Sequence, residues 1–198
     1  MTTLLGLKNE LMIMKKGILI VLAYGLLLSC GSTNKVPQNA ETLAVFTNFV
    51  EQKVFEFRAN TAYPMTTQAF NSVANSGILP PGSNSGAIQL IGIPNFIKVY
   101  GDSVSGNLPF YGERQFGGGL TSNAGIEFKG IPSAYNQTYN AAKERYDIAF
   151  EISDKMERHQ INITLFPNRS ANVSVNSNQR NTIRYVGTVV AIESDKKE

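Results

Sequence analysis

Three groups of residues in this 198-residue chain have the type and spacing to do chemistry. The first is Cys30, the only cysteine. It closes an apolar run, Gly17 to Leu28, that follows Lys15 and Lys16, and it sits between Ser29 and Gly31. A basic start, an apolar stretch of roughly 7–15 residues and a small-residue cut site make a secretory signal. A cysteine in the final slot turns that pattern into a lipoprotein signal, in which the thiol is acylated and Cys30 becomes the mature N-terminus. Leu27 and Ser29 suit such a site, whereas Leu28 stands where a smaller residue is more usual. The run falls short of the roughly 20 apolar residues that span a bilayer. Acyl chains contribute about 0.8 kcal/mol per buried methylene, and two or more hold stably where one does not. The expectation is a mature domain tied to a membrane through Cys30.

The second group surrounds Ser103, in Val99-Tyr100-Gly101-Asp102-Ser103-Val104-Ser105. This segment is similar to the first block of the GDSL-type esterases, whose serine is a nucleophile. Such a serine needs a base, normally a histidine oriented by a carboxylate. That family supplies both from an Asp-x-x-His motif, but here the only histidine is His159 and the residue three before it is Met156. A nucleophile of that type should also open a helix, whereas Ser105-Gly106-Asn107-Leu108-Pro109 reads as a turn entering another strand. The segment is therefore expected to be a β-turn closed by Asp102. Asp102-Ser103-Val104 also resembles the Asp-Ser/Thr-aliphatic acceptor of O-glycosylation in some gram-negative envelopes, which makes Ser103 a candidate modification site. The Asn-x-Ser/Thr matches at Asn136, Asn162, Asn168 and Asn172 read as turn and strand-face composition.

The third group is the carboxylates Asp102, Glu113 and Glu127. Two carboxylates roughly 5–9.5 Å apart in a cleft could work as acid and base on an envelope polymer. One histidine and an acylated cysteine leave no zinc or haem ligand set. Gly117-Gly118-Gly119 lacks the Lys-Ser/Thr of a phosphate loop and reads as a mobile loop. No cofactor or metal is expected, and His159 is expected at a strand edge.

Residues 1–29 read as the signal, with Met14 sufficient to begin it, so the residues before Met14 look like a mis-called start. Residues 30–39, small and polar with Lys35 and Pro37, form a tether. Residues 40–192 form one β-rich domain and 193–198 a charged tail. Of 18 basic and 15 acidic residues, Lys8, Lys15, Lys16 and Glu10 fall in the signal, which leaves 15 against 14. A near-neutral mature chain without a clustered basic face argues against nucleic acid. With no second cysteine, stability must come from core packing and the sheet ladder.

Leu43, Phe46, Val50 and Val54, with Phe49 beside them, recur at helical spacing and predict a helix from about Ala40 to Lys53. A strand follows over Val54–Ala59, and Ala62-Tyr63-Pro64-Met65 reads as a break. Leu79-Pro80-Pro81-Gly82 and its polar continuation mark a loop. Short apolar runs at Ala87–Ile91, Phe96–Tyr100 and Gly125–Gly130 precede the clearest signal. Tyr146, Ile148, Phe150 and Ile152 alternate with polar or small residues; so do Ile161, Ile163 and Leu165, then Val173 and Val175, then Ile183, Tyr185 and Gly187. Period two with turn residues between the runs predicts antiparallel strands with one buried face. The expected fold is mainly β: an antiparallel sheet, sandwich or half-open barrel, with one N-terminal α-helix. The aromatics Phe55, Phe57, Phe96, Tyr100, Phe110, Tyr111 and Phe128 are assigned to the core.

Several blocks in order resemble a known family. They are Phe55-Glu56-Phe57-Arg58-Ala59 with Tyr63-Pro64, Val99 to Val104, Leu108-Pro109-Phe110-Tyr111-Gly112, Gly125-Ile126-Glu127-Phe128, Tyr146 to Phe150, and Ile183-Arg184-Tyr185-Val186-Gly187. Together, over about Leu43 to Val190, they are similar to the domain of unknown function 4251, found in lipoproteins of gram-negative bacteria. The resemblance implies an envelope lipoprotein domain with no assigned activity and brings no catalytic residues. The leading expectation is a non-enzymatic, monomeric binding domain. Its partners would be the lipid bilayer, through acylated Cys30, and an envelope protein, glycan or lipid. The alternative is the carboxylate hydrolase. Gly31-Ser32-Thr33-Asn34 carries neither an aspartate beside the cysteine nor an acidic cluster, so the expected address is the periplasmic face of the outer membrane.

Overall fold

The computed structural model describes residues 40–115, 125–154 and 157–192. The expected signal, Cys30, the expected tether, Gly117-Gly118-Gly119 and residues 193–198 lie outside the described residues. Helix α1 spans Ala40–Glu51 and buries Phe46, Phe49 and Val50, the face its apolar spacing marks. Lys53 then takes a left-handed φ of 51°, and its carbonyl accepts from the Gly101 amide at 2.9 Å. That turn delivers the chain into β1, Val54–Pro64.

Nine further strands follow: β2 Ile88–Gln89, β3 Phe96–Tyr100, β4 Ser103–Leu108, β5 Ile126–Gly130, β6 Ser133–Asn140, β7 Arg145–Asp154, β8 Glu157–Leu165, β9 Ser170–Ser177 and β10 Ile183–Ala191. The sheet order is β5-β4-β3-β1-β10-β9-β8-β7-β6, with β2 added to β1. The described pairings are antiparallel. The first and last strands thus form the central seam, and each carries a wing of the sheet.

The wings curl toward each other. Phe128 of β5 meets Phe150 of β7 edge-on at 6.4 Å and the His159 ring of β8 at 6.0 Å. The result is a half-barrel, the second of the two architectures the strand pattern allows. Its interior is filled by large side chains, among them Phe55, Phe57, Ile97, Phe150, Ile161 and Tyr185, all fully buried. Helix α1 packs across one end: Phe46 lies 5.6 Å from Tyr146, Phe49 lies 6.0 Å from Phe55, and Arg169 sits 4.2 Å over Phe49.

The seam contains a bulge. Ala59 pairs with Gly187 and Thr61 with Val186, so Asn60 is the extra residue. The bulge re-aims β1 so that Ala62 is buried while Tyr63 faces outward. Asn95 occupies the gap between β2 and β3: its side chain accepts from the Ala59 amide at 2.6 Å and donates to the Ala59 carbonyl at 3.0 Å. Two backbone groups of β1 are thereby satisfied by one amide side chain. At Gly187 a β-carbon would land on the Arg58 carbonyl oxygen, so glycine is required by close approach of β10 to the bulge.

Several local expectations are corrected. Pro64 does not break β1 but ends it, where its missing amide costs nothing. Ser105-Gly106-Asn107-Leu108 is strand and not turn; Gly106 lies under the Phe128 ring, in the space a β-carbon would take. A second, seven-residue helix, α2 (Gln68–Ala74), is present, with Thr67 accepting from the Phe70 amide at 3.1 Å as its N-cap. Strand β6 carried no apolar signal. His159 is not at an edge: β8 lies between β7 and β9, and the residue is 1% exposed. Tyr100, assigned to the core, is exposed.

Candidate functional site

The structure disperses the residues with catalytic potential. Asp102 is exposed at the β3–β4 turn, where the Ser103 hydroxyl donates to the Tyr100 carbonyl at 3.0 Å. Ser103 is itself exposed. Glu127 is exposed on β5, opposite Asn107 of β4. Asp102 and Asn107 are separated by five strand residues, about 16 Å at roughly 3.3 Å each, so Asp102 and Glu127 are well beyond the spacing of a glycosidase pair. Glu113 accepts a hydrogen bond from the Thr67 hydroxyl and so ties residues 109–115 to the start of α2. Beside that tie, Phe70, Val73, Ile78, Leu79, Phe110 and Tyr111 line an apolar hollow of about 300 Å³.

One polar cluster escaped the sequence reading. Glu157, at the start of β8, accepts from Arg180 Nε at 2.7 Å and Nη2 at 3.1 Å, from Arg114 Nη2 at 3.1 Å, and from the Ser177 hydroxyl at 2.7 Å. Burial alone would raise its carboxyl; the hydrogen bonds from Arg180 and Ser177 outweigh that and hold it below the usual carboxylate range. Phe110 covers the Arg180 guanidinium at 5.0 Å. Beneath them His159 points Nδ1 toward Glu157 Oε1 at 3.8 Å, and that nitrogen has no hydrogen-bond partner among the described residues. Burial lowers the His159 pKa, against the pull of Glu157. The carboxylate is saturated by forks and hydroxyl, so the cluster fixes the 109–115 and 178–182 segments to the barrel. Its partners lie 20 to 43 residues apart in sequence, which no local pattern reveals.

The outer sheet face is different. Here β1, β10, β9 and β8 form a depression of about 360 Å³ lined by Tyr63, Asn162, Thr164, Asn172, Ser174 and Arg184. Two cross-strand rows build it. Tyr63 pairs with Arg184, Arg184 with Ser174, and Ser174 with Asn162; alongside run Thr61, Val186, Asn172, Thr164 and Asp147. Neighbouring strands stand about 4.7–4.9 Å apart, so each row sets its side chains shoulder to shoulder. The bulge at Asn60 is what turns Tyr63 onto this face.

Curled antiparallel sheet, packed interior and open polar face together define a β half-barrel scaffold. The chain belongs to the family described as Domain of unknown function (DUF4251), whose model matches residues 37–189. Among solved structures it is similar to a DUF4251 family protein from Bacteroides eggerthii DSM 20697. The identity is 17%, the TM-score 0.52, and the match covers 77% of this chain and 89% of that one. That likeness is one of fold. No curated protein matches the chain.

Proposed function

We propose that this chain is a lipid-anchored binding domain of the bacterial envelope, held by acylated Cys30 and recognising its partner without chemical conversion. The signal before Cys30 supports the anchor. The observation that carries the binding role is the outward depression on β1, β10, β9 and β8. The interior is occupied by core side chains, so the accessible recognition groups stand on the outside. The domain faces the periplasm from the outer membrane, so protease added to whole cells should leave it intact, and digestion of the domain would mean that it faces outward.

The experiment is photo-cross-linking in intact cells, with the probe at position 172 and, as control, at position 129 on β5. Membrane-fraction adducts of discrete mass at 172 and not at 129 are the expected result. Equal adduct patterns at both positions, or none at either, would sink the binding role.

A further inference from the structure

We infer that the outward depression is a saccharide site selective for sugars that carry a carboxylate, with Arg184 as the selectivity residue and Tyr63 as the stacking platform. The inference rests on the binding role proposed above and adds the chemistry of the ligand.

The depression is mixed: the exposed Val186 gives it an apolar patch, and its polar side chains are of three kinds. Asn162, Asn172 and Ser174 offer neutral donors and acceptors, and none of them hydrogen-bonds another described residue through its side chain. An amide presents both a carbonyl and two N–H groups, the complement of vicinal hydroxyls that each donate and accept. Tyr63, 36% exposed at one end of the row, gives a flat ring with a polar tip, the amphipathic surface that packs on the C–H face of a ring. A purely apolar ligand would desolvate these amides without replacing their hydrogen bonds with water, whereas a sugar can lay its C–H face on Tyr63 and Val186 and turn its hydroxyls to the amides.

The charge decides the rest. Arg184 is exposed between Tyr63 and Ser174 and has no ion-pair partner among the described residues. The nearby acid of the second row, Asp147, is already taken: Arg145 Nε lies 3.1 Å from it and the Thr164 hydroxyl donates to it at 3.0 Å. The depression therefore holds one uncompensated positive charge. A guanidinium presents its donors as a planar fork that fits a carboxylate bidentately. Placed one strand from a stacking ring and one strand from a hydroxyl, it fits the carboxylate of an acidic sugar whose ring lies over Tyr63 and whose hydroxyls meet Ser174, Asn162 and Asn172.

The test uses the full acylated chain in detergent on an array of uronic-acid, sulfated and neutral oligosaccharides, followed by calorimetric titration of the best ligand and of its carboxyl methyl ester. Binding confined to uronate-bearing sugars is expected, with the ester at least roughly tenfold weaker. Arg184→Gln should erase the difference between acid and ester, and Tyr63→Leu should weaken both. Both side chains face outward, so both variants should melt with the wild type, which separates lost recognition from lost fold. Equal binding of acid and ester, indifference to Arg184→Gln, or no binding across the array would overturn the inference. In any of those cases, specific adducts at position 172 would still uphold the binding role.

Discussion

His159 is a titratable ring sealed in the barrel, 1% exposed, with Phe128 beside it and Nδ1 unpartnered among the described residues. An unmet buried polar atom costs about 1–3 kcal/mol, so His159→Leu is expected to leave stability unchanged or raise it by about 1 kcal/mol. The pH dependence follows in sign. Burial lowers the folded-state pKa of His159 from its ordinary 6.5, so the unfolded chain binds the proton more readily, and stability falls as pH drops below about 6.5. Glu157 is also lowered, from 4.5, so its contribution is present above that value and is lost further down. Melting followed by circular dichroism should give a two-stage decline on acidification, and His159→Leu should remove the upper stage alone. Retention of the upper stage in that variant would mean another group titrates there. The inward direction of His159 was legible, since it stands in period two with Ile161, Ile163 and Leu165. Its neighbours were not, because Arg114 and Arg180 arrive from loops.

Among the elements, the β1–β10 seam is the critical joint, for among the described strands it is the pairing that joins the two wings in the sheet order. Gly187 sits where β10 meets the Asn60 bulge, with no room for a β-carbon. Gly187→Ala should destabilise by about 3 kcal/mol or more, or prevent accumulation of folded protein; an unchanged denaturant midpoint would contradict this packing. The same elements show what a single sequence transmits. Strands β7 to β10 were readable because each alternates buried and wet residues against a filled interior. Strand β6 was not, since as an edge strand it buries neither face fully. Helix α2 is seven residues set by a cap and a tie to Glu113, and too short for periodicity to register. Pro64 and Gly106 misled because both punctuate in general, while here one closes a strand and the other is covered by an aromatic ring. The outer depression depends on the bulge and on four-strand register, neither of which is local in sequence.

For the molecule as a whole, we propose a lipid anchor at Cys30 and a half-barrel whose interior is packed with core side chains and whose outer face is open. Near-neutral net charge in the proposed mature chain would leave recognition to placed groups such as Arg184, with no long-range field to assist. The packed interior also makes the domain a rigid platform, which suits shallow polar recognition better than engulfing a ligand. The central proposal is that the domain is presented from a membrane through Cys30. The most direct test is mass spectrometry of the N-terminal peptide of the mature protein purified from membranes. The account predicts a chain that begins at Cys30 and carries lipid on it, and a Cys30→Ser protein that leaves the membrane fraction still folded. A mature chain that retains residues 1–29, or begins elsewhere with Cys30 unmodified, would contradict it.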